Sequence, residues 1–124
     1  TGNGGAYIRE LFDVEGICFD PICEDTWLAD DLGLFIQKSH TPGVIGLILK
    51  TEKSGTILTT SDAVYSRESY NRGLPPGGTI NKTTDEFFEN LERIRQMEKE
   101  YGAELLFGHD YDQIQEWADR GWIE

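Results

Sequence analysis

From Leu34 onward, short aliphatic runs alternate with polar breaks. Leu34–Ser39 (LFIQKS), Val44–Lys50 (VIGLILK) and Thr56–Ser61 (TILTTS) are rich in β-branched and aliphatic side chains, which predicts three strands. The polar TEKSG segment, Thr51–Gly55, has hairpin length and ends in glycine, so the last two strands should pair antiparallel. Ser66–Lys82, with Gly73, Pro75, Pro76, Gly77 and Gly78, reads as a loop too long for a mere connection. Thr83 and Glu86 then form a capping box ahead of Phe87, Leu91, Ile94, Met97 and Tyr101, which recur at helical spacing until Gly102. Ala103–Phe107 follows as a short buried strand with Gly108-His109-Asp110 at its carboxyl end, and a final helix runs from Tyr111 to Arg120 before Gly121. The first 30 residues hold no sustained period, with Gly2, Gly4, Gly5 and Pro21 predicting loop and irregular pieces. The expected fold class is α/β, with helices packed on one face of a mixed sheet.

Composition narrows the function classes. The 124 residues include 11 Lys+Arg against 23 Asp+Glu, a net charge of −12, which repels phosphate backbones and anionic lipid. Nucleic acid and membrane are therefore not expected partners. A chain of this length buries about two thirds of its unfolded surface and can hold one core without staples. No run approaches the roughly 18 apolar residues of a membrane span, and the N-terminus lacks the features of a signal peptide, so the protein reads as cytoplasmic. Cys18 and Cys23 have no His or Cys near enough to complete a zinc knuckle and are expected as reduced thiols. The chain opens on Thr1, which suggests processing, trimming or a piece of something longer.

The histidines occupy equivalent places: His40 follows the first predicted strand and His109 the last, and strand ends are where α/β folds put ligand groups. His40 lies in His-Thr-Pro-Gly, whose tight turn holds the imidazole away from the ladder, where it could meet a metal or simply occupy a turn. Asp62 ends the ILTTS strand and is either a bridging carboxylate or a turn residue. Asp110 could orient an imidazole or cap the final helix, the cap being the favoured reading. Tyr65 by itself reads as a packed aromatic.

Together, SHTPG at 39–43, ILTTSDAVY at 57–65 and LLFGHD at 105–110, with PPGG and the EFFENLERIRQMEKEYGAE helix between them, resemble the metallo-β-lactamase superfamily and, within it, the N-acyl homoserine lactone lactonases. The resemblance covers residues 34–124, behind an irregular leading segment 1–33. It implies the C-terminal half of an αββα sandwich. It also implies a dinuclear zinc site with metal ligands His40, Asp62 (bridging) and His109, and catalytic roles for Asp62 and Tyr65, the phenol stabilising charge on the lactone carbonyl. The family's His-x-His-x-Asp-His motif is absent, and His40 and His109 are the only histidines. Val44 stands where many relatives have a second His after the turn, a residue that is not normally a ligand.

The resemblance therefore implies a half-site whose partner is an N-terminal half carrying the missing motif. It implies zinc-dependent opening of the lactone ring of N-acyl homoserine lactones, with this chain alone inactive. The alternatives are another hydrolase of the fold, such as a glyoxalase II-like thioesterase, or a non-catalytic half-fold acting as an assembly module. Apolar residues on more than one face of the strands predict self-association of the isolated chain.

Overall fold

The computed structural model describes residues 13–76 and 84–121. A five-stranded sheet runs in sequence order: β1 (Thr26–Ala29), β2 (Leu32–Gln37), β3 (Val44–Lys50), β4 (Thr56–Ser61) and β5 (Glu104–Phe107). The first four strands form an antiparallel meander and β5 pairs parallel to β4, so the sheet is mixed as expected. Helices α1 (Arg67–Arg72) and α2 (Thr84–Tyr101) fill the crossover between β4 and β5, and α3 (Tyr111–Arg120) closes the chain.

Strand alternation sorts the side chains by face. Phe35, Ile48, Leu58, Leu105 and Phe107 pack against Phe87, Leu91, Ile94 and Met97 of α2 to form the core. Phe35 lies over Gly46, where any added Cβ would fall 2.2 Å from its ring. Burying four aliphatic or aromatic residues of α2 stabilises the layer by about 1.5–3 kcal/mol per side chain. A buried polar chain crosses the same interface. Asn90 Nδ2 donates to Gln37 Oε1 (3.1 Å), and Gln37 Nε2 donates to the Thr60 carbonyl (3.0 Å). The register of these bonds fixes α2 against the end of β4.

The opposite face surrounds the fully buried Ile57 with Leu34, Ile36, Leu47 and Leu49, which are half-buried, and Ile45, which is exposed. At the β5 edge, Gln113 of α3 takes the place of a neighbouring strand: its Oε1 accepts from Phe107 N–H (2.9 Å) and its Nε2 donates to the Leu105 carbonyl (2.6 Å).

Three elements depart from the sequence reading. The leading segment expected to be irregular contains β1, and β2 begins at Leu32 rather than Leu34, because Asp30 and Asp31 make the turn that pairs Thr26 with Leu34 and Ala29 with Leu32. The long loop after Tyr65 opens with α1, capped by the Ser66 hydroxyl accepting from Ser69 N–H and ended by Gly73. The expected Thr83 cap and the end of that loop lie outside the described residues. The hairpin, α2, β5 and α3 fall where the pattern put them. Cys18 and Cys23 are free and exposed, and no helix among the described residues is long and apolar enough to cross a membrane.

Candidate functional site

Three turns converge at one end of the sheet. The first follows β2: Thr41 N–H donates to the Ser39 carbonyl (2.9 Å) across His40, whose φ is +67°. Pro42 and Gly43 then occupy the middle of a turn closed by Val44 N–H to the Thr41 carbonyl (3.3 Å), which feeds β3. His40 is thus the centre of a tight three-residue turn in the left-handed region, a conformation that costs a non-glycine residue on the order of 1–2 kcal/mol.

The second turn follows β4, where the β4–β5 register shifts between Thr59 and Ser61. Ser61 has φ +45°. Ala63 N–H returns to the Thr60 carbonyl (3.1 Å), and the buried Thr60 hydroxyl donates to the Val64 carbonyl (2.8 Å). Ala63 and Val64 are fully buried, which anchors the turn and lifts Asp62 and Tyr65 on either side.

The third turn, Gly108-His109-Asp110, is tied to the second by His109 N–H donating to the Tyr65 carbonyl (2.9 Å). Asp110 caps α3, accepting from Gln113 N–H (3.0 Å) through one oxygen and from Arg67 N–H (2.8 Å) through the other. Burial pushes its carboxyl up, but the backbone hydrogen bonds from Arg67 and Gln113, with the Arg67 charge, outweigh that and hold it below the usual carboxylate value. The favoured capping role is the one observed. Arg67 also pairs with Glu116 of α3 (2.9 Å), whose carboxyl it lowers through a side-chain hydrogen bond and its charge.

His40, Asp62, Tyr65 and His109 come together. His109 Nε2 lies 2.9 Å from Asp62 Oδ1 and His40 Nε2 lies 3.7 Å from Asp62 Oδ2, so each carboxylate oxygen faces a different imidazole. Tyr65 stands edge-on to both rings, with centroids 4.5 Å from His109 and 5.9 Å from His40. Asp62 and His109 are about half exposed and His40 is 28 % exposed, so the group opens to solvent.

Two imidazoles disposed about the two oxygens of one carboxylate match the donor types that hold zinc. The trio presents two ring nitrogens and one carboxylate, and among the described residues no group of three or more His, Cys, Asp or Glu could hold a metal ion without further ligands. The donor types fit zinc as part of a larger ligand set. A cavity of about 300 Å³ adjoins His109, lined by Ser66, Arg67, Glu68, Asp110 and Tyr111. A cavity of about 390 Å³, lined by Cys23, Ile36, Lys38, Asn90 and Arg93 among others, contains neither histidine.

Residue reasoning missed the side chains that hold these turns, namely Ser39, Thr60, Ser61 and Gln113. For the three hydroxyl residues the only sequence signal is a hydroxyl within two positions of a candidate ligand, and for Gln113 a glutamine in the first turn of the last helix; both are too common to single out.

No family model matches the sequence. An N-acyl homoserine lactonase, AttM, from Azorhizobium caulinodans is 29 % identical over 118 residues, covering 88 % of this chain and 43 % of that protein. An N-acyl homoserine lactonase from a Bacillus species is 35 % identical over 74 residues, covering 60 % of this chain and 28 % of that protein. Among solved structures, an N-acyl homoserine lactone hydrolase with N-hexanoyl-L-homoserine bound at its catalytic metal centre superposes with a TM-score of 0.77 at 24 % identity, over 89 % of this chain and 42 % of that one. The chain therefore spans less than half the length of these relatives. The likeness to N-acyl homoserine lactonases read from the three motifs is borne out by both comparisons, and the fold is that of part of such a lactonase.

Proposed function

We propose that this chain is the C-terminal half of a two-zinc hydrolase that opens the lactone ring of N-acyl homoserine lactones, contributing His40, Asp62, His109 and Tyr65. The observation that carries this reading is the Asp62 carboxylate, whose two oxygens face separate histidine Nε2 atoms at 2.9 and 3.7 Å. The relatives' lactonase names and the product-bound metal centre of the solved relative support it.

His40 and His109 would each hold one zinc and Asp62 would bridge the pair. When bound, zinc supplies Lewis acidity toward the carbonyl and a water acidic enough to attack near neutral pH. The chain's own residues do the rest. The three hydrogen-bonded turns preset the imidazoles and the carboxylate, so little ordering remains when substrate arrives. Tyr65, held against both rings, would donate a hydrogen bond from its phenol to the charge developing on the carbonyl oxygen. The water oxygen bonds to the carbonyl carbon, collapse of that tetrahedral adduct breaks the ring C–O bond, and a proton from the water passes to the departing alkoxide, giving the N-acyl hydroxy acid.

The remaining ligands belong to the partner half bearing His-x-His-x-Asp-His, and the same half would cover the sheet face around Leu34, Ile45 and Leu47. In isolation that face drives self-association, which sedimentation velocity reads directly. A cytoplasmic setting agrees with the unpaired Cys18 and Cys23.

The test is metal content and ring opening of an N-acyl homoserine lactone beside hydrolysis of a thioester, for the chain alone and with a segment supplying the missing motif. Fewer than two tightly held zinc ions and no turnover alone, with lactone turnover on assembly, is the expected result. Preferred thioester cleavage would move the reading to a thioesterase, and absence of metal from the assembled protein would leave an assembly module.

A further inference from the structure

Among the described residues, the non-glycine positions with positive φ are His40 and Ser61, the first a proposed ligand and the second directly before one. Strain of this kind persists only where surrounding contacts over-determine the backbone. The contacts are two serine hydroxyls running in opposite directions. Ser39, fully buried, donates from the His40 turn to the Ala63 carbonyl in the Asp62 turn (3.3 Å). Ser61, in the Asp62 turn, donates to the Ile45 carbonyl just past the His40 turn (2.7 Å). Each turn is therefore fastened to the other by its own hydroxyl.

The side chains they carry have no such tie. His40 Nε2 and Asp62 Oδ2, at 3.7 Å, are too far apart for a direct hydrogen bond, whereas His109 meets the same carboxylate at 2.9 Å. The separation on the His40 side has to be set by the backbone beneath it. We propose that Ser39 and Ser61 are positioning residues for zinc, reciprocal clamps that fix His40 against Asp62 and leave His109 untouched. This deepens the reading of His40, Asp62 and His109 as ligands and rests on it.

The asymmetry makes the inference testable in the chain as it stands. Zinc chloride is titrated into the wild type, Ser39→Ala and Ser61→Ala while histidine ring nitrogens are followed by long-range ¹H–¹⁵N NMR, with circular dichroism confirming that each is folded. In the wild type both Nε2 signals should shift. In either variant the His40 response should need about tenfold more zinc, the usual consequence of losing a group that orients a ligand, while His109 stays within about twofold. A purely structural hydroxyl would lower the melting midpoint and leave both ring responses alone, or weaken both equally. Either pattern overturns the clamp assignment while the ligand reading stands. A wild-type chain whose rings ignore zinc overturns the clamp assignment, and the ligand reading is then decided by the metal content of the assembled protein. Should Ser39→Ala fail to fold, Ser61→Ala, at a partly solvated position, gives the same comparison.

Discussion

Replacing Gly108 by alanine probes the closest approach between the turns bearing Asp62 and His109. Gly108 lies outside the left-handed region, so alanine is permitted by its backbone conformation. Space is what it lacks. An added Cβ would sit 2.6 Å from the Ser61 carbonyl oxygen and 3.0 Å from its carbon, with Asp62 Oδ1 at 3.6 Å. The obstacle is backbone in the β4–β5 register, and cannot swing aside as a side-chain end would. Overpacking against a fixed neighbour costs about 1–3 kcal/mol. With an unfolding entropy near ~2.1 cal/mol/K per residue, the melting midpoint should fall by roughly 4–12 °C. Relief of the clash separates the ends of β4 and β5, so the 2.9 Å His109–Asp62 contact should open as well. Gly102→Ala is the control: with φ +57° and no atom within 4 Å, its loss is conformational, about 1–2 kcal/mol, and remote from the histidines. Thermal unfolding by circular dichroism with ring-nitrogen NMR separates the two. A Gly108→Ala midpoint within about 2 °C of wild type, with His109 signals unmoved, would falsify the steric argument.

Tyr65→Phe in the assembled enzyme should reduce kcat by about 10- to 1,000-fold at unchanged zinc content, up to ~4 kcal/mol for one oxyanion donor; equal turnover would return Tyr65 to a packing role. Gln113→Leu strands Phe107 N–H and the Leu105 carbonyl, at about 1–3 kcal/mol for each unpaired group, and should raise light scattering on heating by opening the β5 edge. An unshifted urea midpoint would count against it. Asp110→Ala removes the α3 cap and should cost about 0.5–2 kcal/mol. Because its folded pKa is depressed, the charge-dependent part of the Asp110 contribution is present above the unfolded carboxylate value of about 3.9 and lost as pH falls through the folded value. The stability gap between wild type and Asp110→Asn should therefore narrow below about pH 4, and a gap constant from pH 7 to 2 would refute the assignment.

Long periodic segments were legible in the sequence. Phe87, Leu91, Ile94 and Met97 mark one helical face, and the VIGLILK and TILTTS runs admit little but strands. β1 was not legible, because Thr26–Ala29 is four residues flanked by acids and its pairing is set by the bulge between Trp27 and Ala29. α1, six residues with Tyr70 its only aromatic, carries too little period to register, and its stability comes from the Ser66 and Gly73 caps. At the site, residue type and strand-end position single out His40, Asp62 and His109 in the sequence itself. The positive φ values and the hydroxyl bonds between turns arise only from three-dimensional packing and leave no trace in spacing.

The parallel joining of β5 to β4 gives the site a history in time. His40 and Asp62 sit in an antiparallel meander whose contacts are between neighbours along the chain, while His109 meets Asp62 across a sequence separation of 47 residues. Closing so long a segment must precede any reward from the contacts it brings, so local pairings form earlier. Pulse-labelled hydrogen exchange should find β5 amides protected after those of β3 and β4, and the reverse order would refute this sequence of events. A refolding chain would then pass through an interval in which Asp62 has one imidazole for company and the second is still travelling. On the proposed reading, zinc arriving in that interval would meet an incomplete set of donors, and metal loading would wait for β5 to dock.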